Sequence, residues 1–240
     1  MKKFGLIGYP LGHSFSPGYF KDKFTKESID WATYKAYPLT EIGELQDLFE
    51  KGVHGLNVTI PYKEAVIPFL TSLDPISSEI GAVNTILVKE GERIGYNTDV
   101  YGFETSLKGV LNGHVPSGAL ILGSGGASKA VIFVLRSMGI QTKIVSRSKG
   151  DLSYDEIDEE VLHEHPLIVN TTPLGMAPNL DASPLIPYDH LTADHILFDL
   201  IYNPEKTIFL NRGEEQGCTI KNGLEMLILQ AEKSWEIWNN

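Results

Sequence analysis

The sequence predicts an α/β protein of two lobes with a cleft between them, built on mostly parallel sheet. Three observations predict it. Short runs of β-branched and aliphatic residues alternate with segments whose apolar residues recur at helical spacing. One such run, Ala119-Leu120-Ile121-Leu122, passes straight into a glycine-rich turn and a helical stretch. Near Asp99 a second series of strand and helix signals opens, with no internal repeat, low-complexity tract or long linker.

The elements follow in order. Phe4 to Gly8 is a buried strand, stopped by Gly8, Pro10 and Gly12; Pro17 to Lys26 carries a helix and Trp31 to Tyr37 a second strand. Ile42, Leu45, Leu48 and Phe49 give Glu41 to Lys51 a helical stripe. Gly55 to Thr59 is a strand expected to run into Pro61 and a helix through Leu70, with Lys63 at its start. Ala82 to Lys89 and Arg93 to Tyr96 form a hairpin around Glu90-Gly91-Glu92. In the second series, Val100 to Leu111 is a helix and Ala119 to Leu122 a strand. Ala127 to Met138 is a helix ended by Gly139, and Lys143 to Val145 the next strand. Leu167 to Val169 and Ile196 to Phe198 are further buried strands, and Leu224 to Trp238 the last helix.

Composition bounds the function. The chain has 240 residues, 42% hydrophobic and 21% charged, enough to bury a sizeable core. A formal net charge of −11 argues for solubility and against loose binding to nucleic acid or anionic membrane, while leaving room for a small anionic substrate. Cys218 is the single cysteine, which points to a reducing compartment, and no apolar run has membrane-spanning length. Met1-Lys2-Lys3 before Phe4 to Tyr9 looks only faintly like a signal peptide, because Gly5, Gly8 and Pro10 break the run. A cytoplasmic globular protein, monomer or homodimer, is expected.

The most legible chemical signal is Gly123-Ser124-Gly125-Gly126-Ala127-Ser128 between a strand and a helix. Glycines there permit a tight turn and bring backbone N–H groups up to a pyrophosphate at the helix N-terminus. A structural turn is the other reading, and the third glycine of the fingerprint is replaced by Ser128. At the end of the following strand an NAD site usually places an acid on the ribose. This chain has Ser146-Arg147-Ser148-Lys149 instead, cations and hydroxyls that suit a 2′-phosphate and so favour NADP. The seven histidines show no ligand-like pairing, so no metal is expected; His13, His163 and His165 read as turn or surface residues.

Other segments concentrate polar side chains at strand ends. Ser14 and Ser16, two residues apart in a segment read as extended, can point one way toward a carboxylate. Asn57-Val58-Thr59-Ile60-Pro61-Tyr62-Lys63, Gly81-Ala82-Val83-Asn84-Thr85 and Asn97-Thr98-Asp99 add amides, hydroxyls, a cation and an acid. Read singly, Ser14 and Asn97 are also turn or cap residues, Lys63 a surface cation and Asp99 a helix N-cap. Together with GYPLGHSFSP, GSGGASKA, NTTPLGM, DLIYNP and NGLEMLILQA, they resemble the shikimate dehydrogenase family over nearly the whole chain.

That resemblance implies an α/β substrate domain over residues 1–98 and 222–240, the last helix returning to it. It implies a Rossmann-type, doubly wound NADP domain over 99–221. The implied activity is an oxidoreductase interconverting 3-dehydroshikimate and shikimate in aromatic amino acid and chorismate biosynthesis. By position, Ser14 and Ser16 would bind the substrate carboxylate, and Thr59, Asn84, Asp99 and Gln230 the ring hydroxyls, with Tyr202 nearby. Lys63 and Asp99 would be the catalytic pair. Gly123, Ser124, Gly125, Gly126 and Ala127 would hold the pyrophosphate, and Ser146, Arg147, Ser148 and Lys149 the adenosine phosphate. Leu200 and Gly223 would line the nicotinamide side. Two departures stand out: the chain is short for the family, and Asp151 sits where a second cation is often found, its charge expected to oppose the phosphate. A dehydrogenase that prefers quinate or takes both acids is the near rival, and a catalytically silent NADP-binding regulator the rival of another class.

Overall fold

In the computed structural model, which describes residues 1–12 and 14–240, the first sheet is built from β1 (Lys2–Gly8), β2 (Ala32–Pro38), β3 (Gly55–Val58), β4 (Ser72–Leu73), β5 (Thr85–Lys89) and β6 (Glu92–Tyr96). Helices α1 (Phe15–Lys26), α2 (Leu45–Glu50) and α3 (Pro75–Ile80) intervene. His13 lies outside the described residues. The strand order is β2-β1-β3-β5-β6-β4. β1 runs parallel to β2 and β3, but β5 lies antiparallel to β3 and β6 antiparallel to β5, so this sheet is mixed.

One expected element is not formed. Beyond β3 there is no α-helix to Leu70; the chain makes turns and a short 3₁₀ segment, Ile67–Phe69. Pro68 is the reason: it has no N–H to give residue 64, and its ring crowds that carbonyl. A single α-type bond forms, Val66 N–H to Tyr62 O at 3.0 Å; from Ile67 on the bonds are of the tighter kind, Phe69 N–H to Val66 O at 2.9 Å and Leu70 N–H to Ile67 O at 3.1 Å. Lys63 therefore stands in a turn, not at a helix start.

The second sheet comprises β7 (Gly118–Leu122), β8 (Gln141–Val145), β9 (Leu167–Asn170), β10 (Ile196–Asp199) and β11 (Thr219–Lys221), in the order β11-β10-β9-β7-β8. All four pairings are parallel. The helices of this half of the sequence are α4 (Asp99–Leu111), α5 (Gly126–Ser137), α6 (Glu159–Glu164), α7 (Ile208–Glu215) and α8 (Leu224–Asn239). Every residue of β7 and β9 is buried, which is why both read as unbroken apolar runs. From β7 the chain winds out to β8 and returns on the other side as β9, so the order reverses between β7 and β9, where such sheets bind ligands.

The chain divides into two units, Met1–Thr98 with Ala231–Asn240, and Asp99–Gln230. In the first, Ile7, Leu45, Leu56, Val58 and Ile86 form one core, and an aromatic cluster of Phe4, Phe20, Trp235 and Trp238 the other. In the second, Leu120, Leu122, Ile168, Leu197 and Phe209 anchor the core. His165 corrects the surface reading: it is 4% exposed, its Nδ1 at 2.7 Å from Val161 O, because it turns inward as α6 ends. No helix is long and apolar enough to cross a membrane among the described residues.

Candidate active site

In the first unit the polar residues gather where β1, β3 and β5 begin or end. Thr59 follows β3 directly, and its N–H donates to Ile7 O near the end of β1 (2.9 Å). Lys63 is tied by its backbone, Val83 N–H donating to Lys63 O at 2.8 Å. The next residue, Asn84, is buried; its side-chain oxygen accepts the Thr98 N–H at 2.7 Å and its amide reaches the Thr98 hydroxyl at 3.0 Å. Thr98 immediately precedes Asp99, so Asn84 fixes the chain on which that carboxylate follows. Beside it, Asn97 donates to Ala82 O at 3.0 Å, while its own side-chain oxygen is buried without a protein partner among the described residues.

The two serines are not equivalent, and the segment is not extended throughout. Ser14 is the N-cap of α1, with an extended backbone and a hydroxyl that does not cap the helix. Ser16 already belongs to the first helical turn and is buried, hydrogen-bonded to the phenol of Tyr34. Tyr34 donates to Asn57 Oδ1 at 2.8 Å, and Asn57 Nδ2 donates to Ser234 Oγ at 2.9 Å. Asn57 Nδ2 also faces the Asn84 carbonyl oxygen (3.4 Å), an acceptor only, which fixes which way the amide points. Because Asn57 Oδ1 can only accept, the phenol proton goes there, and Ser16 must donate its own to Tyr34. Burial pushes the Tyr34 phenol far above its ordinary value, with the Ser16 bond opposing.

In the second unit two loops leave the C-terminal ends of neighbouring strands. Gly123 follows β7 with φ of 109°, a region that favours glycine, and an added Cβ would lie 2.8 Å from Thr171 Oγ1 at the end of β9. Gly125 is the N-cap of α5 and supplies no side-chain cap, so N–H groups at the start of this 12-residue helix keep their direction toward a ligand. Around Gly125 and Gly126 an added Cβ would meet nothing within 4 Å, and Ser124 is exposed. After β8, the Ser146 hydroxyl accepts the N–H groups of Ser148 (3.2 Å) and Lys149 (2.9 Å), folding a turn that presents Arg147, Ser148 and Lys149 to solvent. An uncapped helix start beside exposed cations fits a dinucleotide carrying an extra phosphate.

Gly223 is joined directly to the segment Leu200-Ile201-Tyr202. Gly223 N–H donates to Ile201 O at 3.0 Å, and an added Cβ at Gly223 would sit 2.1 Å from Leu200 O, so only glycine permits this approach. Tyr202 is half-buried, and burial raises its phenol. Gln230 lies on α8, where its amide donates to Leu227 O at 2.8 Å. Gly102, three residues along α4 from Asp99, lets that helix close onto α8; its added Cβ would meet Met226 O at 2.4 Å and Gln230 Cβ at 3.2 Å.

Comparison with known proteins decides the family. Residues 6–86 match the family described as shikimate dehydrogenase substrate binding domain. The curated shikimate dehydrogenase (NADP(+)) of Desulforamulus reducens is 34% identical, over 98% of this chain and 88% of that protein. The chain belongs to the shikimate dehydrogenase family. The structure of shikimate dehydrogenase from Aquifex aeolicus superposes with a TM-score of 0.88 at 34% identity, covering 100% of this chain and 92% of that one. The Thermus thermophilus enzyme, solved in complex with NADP(H) and shikimate, does so at 0.84 and 31%, covering 99% and 93%. Within this shikimate dehydrogenase fold, sequence reasoning alone did not single out Tyr34, Asn57, Thr98, Gly102 or Ser234. Only the NVTIPYK and NTD clusters hinted at Asn57 and Thr98.

Proposed function

We propose that this chain catalyses the reversible, NADP-dependent reduction of 3-dehydroshikimate to shikimate. The Asn84–Thr98 pairing carries the assignment of the reacting groups, because it ties the residue before Asp99 to the neighbour of Val83, whose N–H holds the Lys63 backbone. Lys63 as an ammonium gives its proton to the oxygen that becomes the new ring alcohol; in oxidation the amine takes it back. Asp99 orients that exchange and, with Thr59, Asn84 and Gln230, holds the ring hydroxyls. Ser14 and Ser16 bind the carboxylate, and Tyr202 contributes a substrate contact.

Gly123 to Ala127 would hold the pyrophosphate and Ser146 to Lys149 the 2′-phosphate, with Leu200 and Gly223 against the nicotinamide. When bound, the nicotinamide supplies or accepts the hydride. In this reading residues 1–98 and 222–240 make up the substrate domain and 99–221 the NADP domain, with Asp99 and Tyr202 reaching the substrate from the latter and Gly223 the cofactor from the former. The net charge of −11 and the single, buried thiol of Cys218 support a cytoplasmic enzyme, which we take to be a monomer or homodimer.

NADPH consumption with saturating 3-dehydroshikimate tests the reading, run beside 3-dehydroquinate and beside NADH. Turnover of 3-dehydroshikimate with NADPH is expected, and Lys63→Ala should lower kcat by about two orders of magnitude with little change in KM. No turnover in the wild type removes the enzyme reading in favour of a silent binder. A faster reaction with 3-dehydroquinate hands the site to quinate. A Lys63→Ala protein within a few-fold of wild type removes Lys63 as the proton-transfer group.

A further inference from the structure

Two fully buried polar side chains with no part in the proposed chemistry, Asp199 and Asn170, sit at paired positions where β10 and β9 end. Asp199 Oδ1 accepts the Ile201 N–H at 3.0 Å and the Asn170 amide at 3.1 Å; Oδ2 accepts the Thr207 hydroxyl at 2.6 Å. Asn170 uses its remaining capacity in the same way. Its Oδ1 accepts the N–H (3.0 Å) and hydroxyl (2.7 Å) of Thr172, and its backbone oxygen accepts the Leu200 N–H (3.0 Å). One pair thus ties down two loops, 171–174 and 200–202. Ile201 passes the constraint on, since its carbonyl holds Gly223.

A carboxylate this deeply buried is unfavourable to ionise, and desolvation pushes Asp199 up to about 6 against the three hydrogen bonds that lower it. Apolar side chains would pack two strand ends with less penalty. What the carboxylate adds is direction: it fixes one N–H in the middle of Leu200-Ile201-Tyr202 and the amide that fixes the neighbouring loop.

We propose that Asp199, acting with Asn170, is a positioning residue for the nicotinamide side of the site, holding Leu200, Tyr202 and Gly223 in place without touching cofactor or substrate. This rests on the reading in which those three residues line the site.

The test compares Asp199→Asn, Asp199→Ala and Thr207→Val in the full-length enzyme, with steady-state kinetics and Tm for each. Asparagine can keep its oxygen on Ile201 and Asn170 and turn its amide to the Thr207 hydroxyl, which accepts as readily as it donates. Asp199→Asn should therefore keep kcat and both KM values within about twofold of wild type. Asp199→Ala strips the acceptor from Ile201 and Asn170, and should lower kcat/KM for NADP and shikimate about tenfold or more. Thr207→Val loses the far oxygen's partner and the hydroxyl that caps α7 through the Leu210 N–H, while the Ile201 and Asn170 bonds stay, and should lower Tm while leaving the kinetics within about twofold. Wild-type kinetics in Asp199→Ala, or kinetic losses in Thr207→Val and Asp199→Ala that simply follow Tm, overturn the positioning role. Asn170→Ala gives the same reading should Asp199→Ala fail to fold: reduced kcat/KM supports the role and unchanged kinetics overturns it. Leu200→Ala and Tyr202→Phe separate the two layers. If both leave kinetics untouched the site reading falls, and the positioning role with it; if they impair the enzyme while Asp199→Ala does not, the positioning role falls alone.

Discussion

Asp151 Oδ2 accepts the backbone N–H of Ile144 at 2.8 Å, and the Asp151 N–H returns to Ile144 O at 2.7 Å. β8 is an edge strand, and this acid stands in for the missing neighbour along its open side. The sequence suggests that Asp151 is a misplaced charge in the phosphate loop, to be improved by a cation. Its side chain is instead engaged with the strand. Asp151→Asn keeps an acceptor for Ile144 while removing the charge, so it should widen the NADP-over-NAD ratio in kcat/KM about two- to fivefold, a screened interaction near 0.5–1 kcal/mol. Asp151→Arg loses the bond and should lower stability by roughly 1–3 kcal/mol. Arg147→Ala should collapse the ratio. Equal stability of the Asn and Arg variants would show that the strand bond contributes nothing.

The serine pair should divide its work unequally. Ser16 has one proton, and Tyr34 takes it in the free protein, whereas the Ser14 hydroxyl does not cap its helix. A bound carboxylate gains a full charge-assisted bond from Ser14 but must draw the Ser16 proton away from Tyr34. Ser14→Ala should therefore raise the KM for shikimate by about 10-fold or more, the scale of losing 1.5–3 kcal/mol, and Ser16→Ala by less. kcat should hold in both. KM values for shikimate that rise equally in the two variants argue against proton competition, and no rise in either removes the carboxylate assignment.

What was legible in the sequence is what local pattern controls. β7 and β9 are buried on both faces, and the glycines after β7 stand at the reversal of strand order, so apolar runs and a Gly-rich turn announced them. The helix expected through Leu70 failed because Pro68 outweighs the apolar spacing around it. The Ser16–Tyr34–Asn57–Ser234 chain joins four elements far apart in sequence, and no period of 2 or 3.6 residues encodes it. Asp151 and Asp199 misled or escaped for one reason: their charge is visible in the sequence, but the backbone N–H groups they accept are not.

Asp199 makes stability depend on pH in an unusual direction. Its pKa rises from an ordinary 3.8 to about 6 in the folded protein, so the native state binds more protons than the unfolded chain between those values. Its contribution is complete below about pH 4 and is lost as pH rises through about 6, on the order of 1–3 kcal/mol. Asp199→Asn should remove this dependence. The Tm difference between Asp199→Asn and wild type should then shift in favour of the variant between pH 5 and pH 8 (about 2–6 °C for a chain of this size). A difference that stays constant with pH means that Asp199 is ionised at its ordinary value.

Gly102 gives the sharpest test of how α8 delivers Gln230. On α4, position 102 lies one turn from Asp99, and α8 passes so close that an added methyl would meet Met226 O at 2.4 Å and both Cβ and N of Gln230 at 3.2 Å. Those atoms are backbone or next to it, so no rotamer change relieves the contact and the helices must separate. Ser106, one turn further on, holds Glu225 at 2.9 Å and resists a uniform shift, so the opening should be concentrated at Gln230. Overpacking of this kind costs roughly 1–3 kcal/mol in stability. Gly102→Ala should also raise the KM for shikimate toward the value of Gln230→Ala, because the amide is carried away from the ring hydroxyl it is proposed to hold. The KM for NADP should stay within about twofold, since the dinucleotide loops follow β7 and β8 and make no use of this contact. The measurement is the pair of KM values for Gly102→Ala, Gln230→Ala and the double variant. If the double variant is no worse than Gln230→Ala, Gly102 acts through Gln230; if the two effects multiply, it acts by another route and this account of the α4–α8 approach fails.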